Sequence, residues 1–415
     1  MRVVHLSAYD LFGGAGQAAF RLHAALRESG VDSRMMVRRR DSERNDIAAP
    51  GGAFMKFWLR VQRRCDRLAL AGNRAAAANF SVGWVPDALS HHLGVLKPDI
   101  VHLHWVAHGF LRLESLAKIP APVVWTMHDM WTFTGGCHYA GACGRFTESC
   151  GRCPVLGARR EHDWSRSGWS RRQRVFADKP ITYVSPSRWL AGRARESSLL
   201  RSADVRVIPN GIDAARFGPR DRMAQRRRWG LPEDRLLILA GSAQLRDNPR
   251  KGFPDLVESL DWLGRLGVKR SVELVLFGSA APVTGELNGF KVHRLGEIAG
   301  EDAMASLYAA ADVFVAPSLE DNLPNTVIEA MAVGTPVVAY ATGGIPEIID
   351  HRVNGLTAPT GEPARLADKL HAMVSDTALR IELGRCAREK VLRVFTREQA
   401  AEGYRELYRD VLRGA

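Results

Sequence analysis

The chain has 415 residues, too many for one ordinary core, and shares of 46% hydrophobic and 25% charged residues mark it as globular rather than disordered or fibrous. No apolar run approaches the roughly 18 residues that span a bilayer as a helix. A net charge of +13 leaves nucleic acid, an anionic membrane surface or phosphorylated substrates as partners. The sequence offers no aromatic-interleaved RNP-like strand, no helix-turn-helix signature and no sustained basic tail, so nucleic acid is set aside.

In chain order, short β-branched runs alternate with helical stretches, the pattern of parallel sheets. Strands are expected at Val3–Ala8, Ser33–Arg38, Ile100–Trp105, Val123–His128, Ile181–Pro186 and Val205–Pro209. A second series follows at Leu236–Gly241, Val272–Gly278, Val292–Gly296, Val313–Pro317 and Pro336–Tyr340. These define an α/β protein of two successive domains, 1–209 and 210–396, divided in the segment NGIDAARFGP. A terminal helix over 397–415 is expected to pack near that boundary. The opening MRVVHLSAYD reads as a strand rather than a signal peptide, so the expected location is the cytoplasm. An insertion over 51–80 carries a basic helical stretch, Phe54–Leu70, which suits either helix packing or contact with the inner face of a membrane.

Between the first strand and its helix lie Gly13, Gly14 and Gly16, where glycine lets the backbone approach an anion closely, although tight strand-helix turns also use it. His128 and Asp129 end the strand VVWTMHD, at the edge where α/β sheets bind ligands. His102 and His104 alternate on another strand and read as structural. Four of the six cysteines, Cys137, Cys143, Cys150 and Cys153, fall within one loop that closes with C-x-x-C. That suits a tetrahedral structural zinc, with His138 as a substitute ligand, while free thiols or a redox pair is the plainer alternative.

In the second half, the strand VFVAPS runs into SLEDNLPNTVIEAMAVGTP. Pro324 suits a helix start and Gly334 a helix end, so Asn322, Leu323, Asn325 and Thr326 flank a helix N-terminus that favours phosphate. Asp321 and Glu329 bracket that start. Arg250, Lys251 and Gly252 follow an earlier strand, and Thr342–Glu347, with Gly343, Gly344 and Glu347, forms a further glycine-rich loop.

The segment from Asp321 to Glu329 resembles the donor-binding signature of retaining glycosyltransferases of family 4, in which two acidic residues flank seven others; aspartate here stands where most members carry glutamate. The glycines near the N-terminus, the VIPNGID junction, the Arg250–Lys251–Gly252 element and the TGGIPE loop are similar to family elements, so the resemblance covers nearly the whole chain. The cysteine loop directly after the histidine strand resembles a subset acting on colanic acid and other exopolysaccharides. The resemblance implies a GT-B fold, two Rossmann-like doubly wound domains facing across a cleft, with the acceptor on the first and the donor on the second. It also implies transfer from a nucleotide-diphosphate sugar to a saccharide or polyprenyl-diphosphate-linked acceptor. His128 would contact the transferred sugar, Asp321 and Glu329 would position it, and Lys251 with Arg246 or Arg250 would stabilise the leaving diphosphate without a catalytic metal. The rivals are a sugar-nucleotide epimerase or hydrolase and a non-enzymatic nucleotide-sugar-binding scaffold. A dehydrogenase is disfavoured, because the GGAG turn lacks the spacing of a dinucleotide fingerprint.

Overall fold

The computed structural model describes residues 1–414 except 50–57, 60, 63, 67–69, 71–78, 88, 243–244, 246–247 and 279–282. The chain forms two compact units, Met1–Gly211 with Glu398–Ala415, and Ile212–Arg397. Most of the insertion expected over 51–80 lies outside the described residues, including much of the stretch Phe54–Leu70 that suits either helix packing or membrane contact.

The first unit is built on a seven-stranded sheet of order β3-β2-β1-β4-β5-β6-β7. Its strands are β1 (Arg2–Tyr9), β2 (Asp32–Arg39), β3 (Ile47–Ala48), β4 (Ile100–Leu103), β5 (Val123–Thr126), β6 (Ile181–Ser185) and β7 (Val205–Val207). Every pairing is parallel. Parallel strands buried on both faces need continuous apolar runs, which is how β4 and β5 read: all eight of their residues are buried. Parallel neighbours also end on the same edge, so the loops after β1, β4 and β5 lie side by side.

The second unit repeats the scheme in the order β10-β11-β9-β8-β12-β13-β14. Its strands are β8 (Leu236–Gly241), β9 (Val272–Phe277), β10 (Val283–Leu287), β11 (Phe290–Arg294), β12 (Val313–Ala316), β13 (Val337–Tyr340) and β14 (Leu356–Ala358). Only the β10–β11 hairpin is antiparallel. The sheet order brings the loops after β8, β12 and β13 together at one edge. Three strands, β3, β10 and β14, are additions to the sequence reading. The first and last are two and three residues long, and Val283–Leu287 has a glycine and a glutamate where an apolar run would signal a strand.

The closing helix Arg397–Arg413 belongs to the first unit. Its Ala401, Tyr404, Leu407 and Tyr408 share a core with Val3, Leu22, Ile100, Val124 and Val184. Two hydrogen bonds fix its position: Tyr408 Oη to His102 Nδ1 at 2.6 Å, and Tyr404 Oη to Thr126 Oγ1 at 2.6 Å. The chain thus returns to the sheet it began with. Tyr408→Phe leaves a fully buried imidazole nitrogen unpaired and is expected to destabilise the fold by about 1–3 kcal/mol, read as a lower urea midpoint; an unchanged midpoint would show that the helix is not held there.

Candidate active site

In the second unit the strand β12 ends, and the loop from Pro317 to Pro324 leads into the helix Asn325–Ala332. Pro324 stands at the N-cap of this helix and makes no side-chain cap itself. The helix stops at Gly334, whose φ of 87° turns the chain toward β13. Asn322, Leu323 and Asn325 are buried and Thr326 is partly exposed.

Asp321 sits in this loop with 6% of its surface exposed. Lys251 donates to its Oδ2 at 2.7 Å, Arg250 Nη1 lies 3.4 Å from Oδ1, and the Ser318 hydroxyl lies 3.4 Å from Oδ2. Burial alone would raise the Asp321 carboxyl, but Lys251 and then Arg250 outweigh it and hold the group below the usual carboxylate range. Burial pushes the Lys251 ammonium down, while Asp321 pulls it back up. The sequence reading assigned the carboxylate to the sugar and the lysine to the diphosphate; here the two are bound to each other.

Two close backbone approaches create that pairing. A Cβ on Gly252, at φ 67°, would lie 1.9 Å from the Pro317 carbonyl oxygen. Only glycine lets the Arg250–Lys251 turn press against the end of β12. A Cβ on Gly343, at φ 57°, would lie 1.7 Å from the Asp321 carbonyl oxygen, which also accepts from Gly344 N at 3.0 Å. The Thr342 hydroxyl donates to Leu319 O at 2.8 Å. Glu347, partly exposed, lies in the short helix Ile345–Ile348 that follows. Arg246, the alternative cation, lies outside the described residues.

Glu329, 4% exposed, is on the same helix and its Oε2 accepts from Tyr308 Oη at 3.1 Å. Tyr308 was not singled out by sequence; its place in the apolar stretch SLYAAADVFVA reads as core, which it also is.

In the first unit, Gly13 (φ 71°) begins the helix Gly13–Glu28, whose N-cap residue, Phe12, makes no side-chain cap. A Cβ on Gly16 would lie 3.1 Å from Tyr9 O, so this glycine serves helix–strand contact, while Gly14 joins the helix directly. His128 follows β5 and is partly exposed. Its Nε2 lies 3.1 Å from His104 Nδ1, and His104 Nε2 lies 2.9 Å from His5 Nδ1. Three imidazoles thus form a chain from the core of β1 through β4 to the sheet edge. His104 has a structural place, as its sequence reading held, and also grips His128. Asp129 turns inward: its carboxylate accepts from Trp131 N, Trp105 Nε1 and His138 Nδ1. It organises the loop rather than facing a ligand.

Among the described residues, the three ligand-type atoms lying within 4.8 Å of one another belong to His5, His102 and His104. Both nitrogens of His102 already bond Tyr408 and Thr126, and His5 and His104 bond each other, so the trio is a hydrogen-bonded core. Burial drives His5, His102 and His104 well below the ordinary imidazole range, and His128 and His23 down to about 4.

Two α/β units, each with its candidate residues past the carboxyl edge of a largely parallel sheet, define a two-domain, doubly wound architecture. Residues 12–216 match the model of Glycosyltransferase Family 4, and residues 235–376 that of Glycosyl transferases group 1. A D-inositol 3-phosphate glycosyltransferase of Acidothermus cellulolyticus is 30% identical over 337 residues, 76% of this chain and 67% of that protein. Its namesake in Xylanimonas cellulosilytica is 29% identical over 361 residues, 81% of this chain and 75% of that one. Other proteins of the same name match over about half of their length. The sucrose-phosphate synthase structure from Thermosynechococcus elongatus superposes with a TM-score of 0.71 at 18% identity, covering all of both chains. The structure of HepE from Anabaena with UDP and glucose does so at 0.65 and 16%, over 99% of this chain and all of that one. The chain belongs to glycosyltransferase family 4, with the GT-B fold, and is a glycosyltransferase. These relatives are named for inositol phosphate, not for colanic acid. Among the described residues, no helix is long and apolar enough to cross a membrane.

The neutral imidazoles make stability depend on pH. Below the ordinary histidine value of 6.5 the unfolded chain takes up protons that the folded one refuses. Stability is therefore complete above 6.5 and falls as the pH drops toward 4, by up to about 1.4 kcal/mol per pH unit for each such group. Denaturant midpoints should fall steeply between about pH 7 and about pH 5; a flat profile would mean that these rings are charged in the fold.

Proposed function

We propose that this glycosyltransferase takes a sugar from a nucleotide-diphosphate donor and delivers it, with retention of anomeric configuration, to a saccharide or lipid-linked saccharide. The setting we infer is the assembly of exopolysaccharide, capsule or lipopolysaccharide on the inner face of the membrane. The observation that carries this reading is the packing of Lys251, Arg250 and Asp321 between the Gly343–Gly344 loop and the start of Asn325–Ala332. Two cations at a helix N-terminus form a seat for a diphosphate, and buried carboxylates beside it suit sugar hydroxyls. HepE, of like fold and solved with UDP and glucose, supports a donor of that type.

In this reading the bond from the anomeric carbon to the diphosphate breaks as the acceptor oxygen forms its bond on the same face. The departing diphosphate takes the acceptor's proton, so no enzyme nucleophile is needed. Lys251 and Arg250 stabilise charge growing on the leaving oxygen. Asp321 holds Lys251 in place until the donor arrives and then shares it. Glu329 and the glycine loop of Thr342–Glu347, with Asn322, Leu323, Asn325 and Thr326, seat the donor. His128, neutral at ordinary pH, offers the sugar a hydrogen bond, and Gly13, Gly14 and Gly16 admit an anionic group. No metal ion is required for catalysis. The names of the relatives favour a second acceptor, an inositol phosphate.

Lys251→Ala is expected to lower turnover about 10²–10³-fold, whereas the exposed Lys118→Ala should leave it unchanged; equal effects would remove Lys251 from the site. Glu329→Ala should weaken donor binding in calorimetry while Asp321→Ala chiefly slows turnover. If neither affinity nor rate changes in these two variants, the donor site lies elsewhere. Turnover should persist in excess EDTA, and a requirement for added magnesium or manganese would contradict the arrangement. Assays of UDP-, GDP-, TDP- and ADP-sugars against saccharide and inositol phosphate acceptors decide between the two acceptor readings.

A further inference from the structure

Beside the loop of 137–153 lies a charge that the sugar chemistry does not use. Arg172, on the helix Trp164–Asp178, is fully buried, with no exposed surface. Its guanidinium stacks on Trp131 at 4.6 Å and donates from Nη1 to Gly168 O at 3.1 Å. Its Nε and Nη2 have no partner. A buried cation without an anion is costly, and the groups whose negative charge would favour it are Cys150, Cys137 and Asp129. Asp129 is already engaged by His138, Trp105 and Trp131. The thiols remain.

Cys137, Cys150 and Cys153 are buried in one core and Cys143 packs against it, and all four are reduced. The sulfurs already receive amide hydrogen bonds, from Gly135 to Cys150 and from Val155 and Leu156 to Cys153. The turn Cys150–Gly151–Arg152 holds three successive residues at positive φ, 57°, 94° and 44°. Two anchors keep it there: Cys153 N donates to Asp163 Oδ2 at 2.8 Å, and Gly151 N to Ser165 Oγ at 2.9 Å.

We propose that Cys137, Cys143, Cys150 and Cys153 bind one zinc ion as thiolates, and that Arg172 is the buried counter-cation of that site. Zinc with four thiolates carries a net charge of 2−, and Arg172 offsets half of it inside the core. Each thiol gives up its proton on coordination, so four protons pass to solvent per ion bound. No three of the four sulfurs are yet within 4.8 Å of one another. Zn–S bonds of about 2.3 Å in a tetrahedron require separations of about 3.8 Å, so coordination draws the loop inward. His138 is not a ligand: its Nδ1 bonds Asp129 at 2.7 Å and its Nε2 bonds Ser81 at 3.0 Å. The site is structural, tying the loop that follows His128.

The test uses the full chain and needs no activity assay. Elemental analysis should find about one zinc per chain. Titration with a mercurial should release it to a colorimetric dye as four thiols react. Cys153→Ser should lose the ion and melt at a lower temperature. Should that variant fail to fold, Arg172→Met gives a separate readout: zinc should pass to a competing chelator at roughly 10–100-fold lower concentration. Metal-free protein that stays metal-free when zinc alone is added, with the four cluster thiols open to titration alongside Cys65 and Cys386, overturns the site. Arg172→Met that holds zinc as tightly as the parent overturns the role given to Arg172.

Discussion

A carboxylate with 6% of its surface exposed cannot stay ionised unless a cation is brought to it, and this constraint shapes the edge of the second sheet. Lys251 comes from the loop after β8 and Asp321 from the loop after β12, seventy residues apart in sequence. They meet because β8 and β12 are parallel neighbours whose loops leave the same edge. The pairing tolerates no side chain at Gly252 or Gly343, where an added Cβ would overlap a carbonyl oxygen at 1.9 or 1.7 Å. The glycines matter through the space they leave for two charges, and the charges matter through the burial they make tolerable.

The first sheet meets the same constraint in the opposite way. Its core holds imidazoles, and burial keeps them neutral. Each then finds a hydrogen bond in another imidazole, in the Thr126 hydroxyl or in Tyr408 of the returning helix Arg397–Arg413. A neutral imidazole chain has one mobile choice, its tautomer, and that choice at His104 sets which nitrogen of His128 can donate. The loop beyond His128 is set by Asp129, which spends its lone pairs on Trp131, Trp105 and His138. Loop order here rests on one buried acid, just as the packing of the loops after β8, β12 and β13 in the second unit centres on Asp321.

Much of this was legible in the sequence because burial on both faces forces apolar runs. β4, β5, β12 and β13 announce themselves in that way. The short edge strands β3 and β14 do not, and neither does the hairpin strand Val283–Leu287, whose pairing with β11 is set by the turn at Asn288–Gly289. The carboxylate pair was singled out by the resemblance of the segment Asp321–Glu329 to a family signature, since two acids bracketing a helix start at Pro324 read by themselves as capping or solvated groups. Their partners were not. Tyr308 reads as core, and a contact across seventy residues leaves no local trace. Arg172 was hidden more thoroughly, because within the run Arg171–Arg174 it looks like any solvated arginine. Only its depth beneath Trp131 distinguishes it.

The same geometric rule governs both units. In a parallel sheet, residues just past the carboxyl ends of adjacent strands converge without any local signal beyond a glycine or a polar turn. His104 and His128 follow β4 and β5; Lys251, Asp321 and Gly343 follow β8, β12 and β13. The strands fix these positions to within a side-chain length, while the loops remain free to vary in composition. An aspartate in place of the family's glutamate at position 321 shortens that side chain by one methylene. Lys251 and Arg250 still reach it at 2.7 and 3.4 Å. The shorter side chain thus keeps the ion pairs that hold a buried carboxyl below the usual carboxylate range.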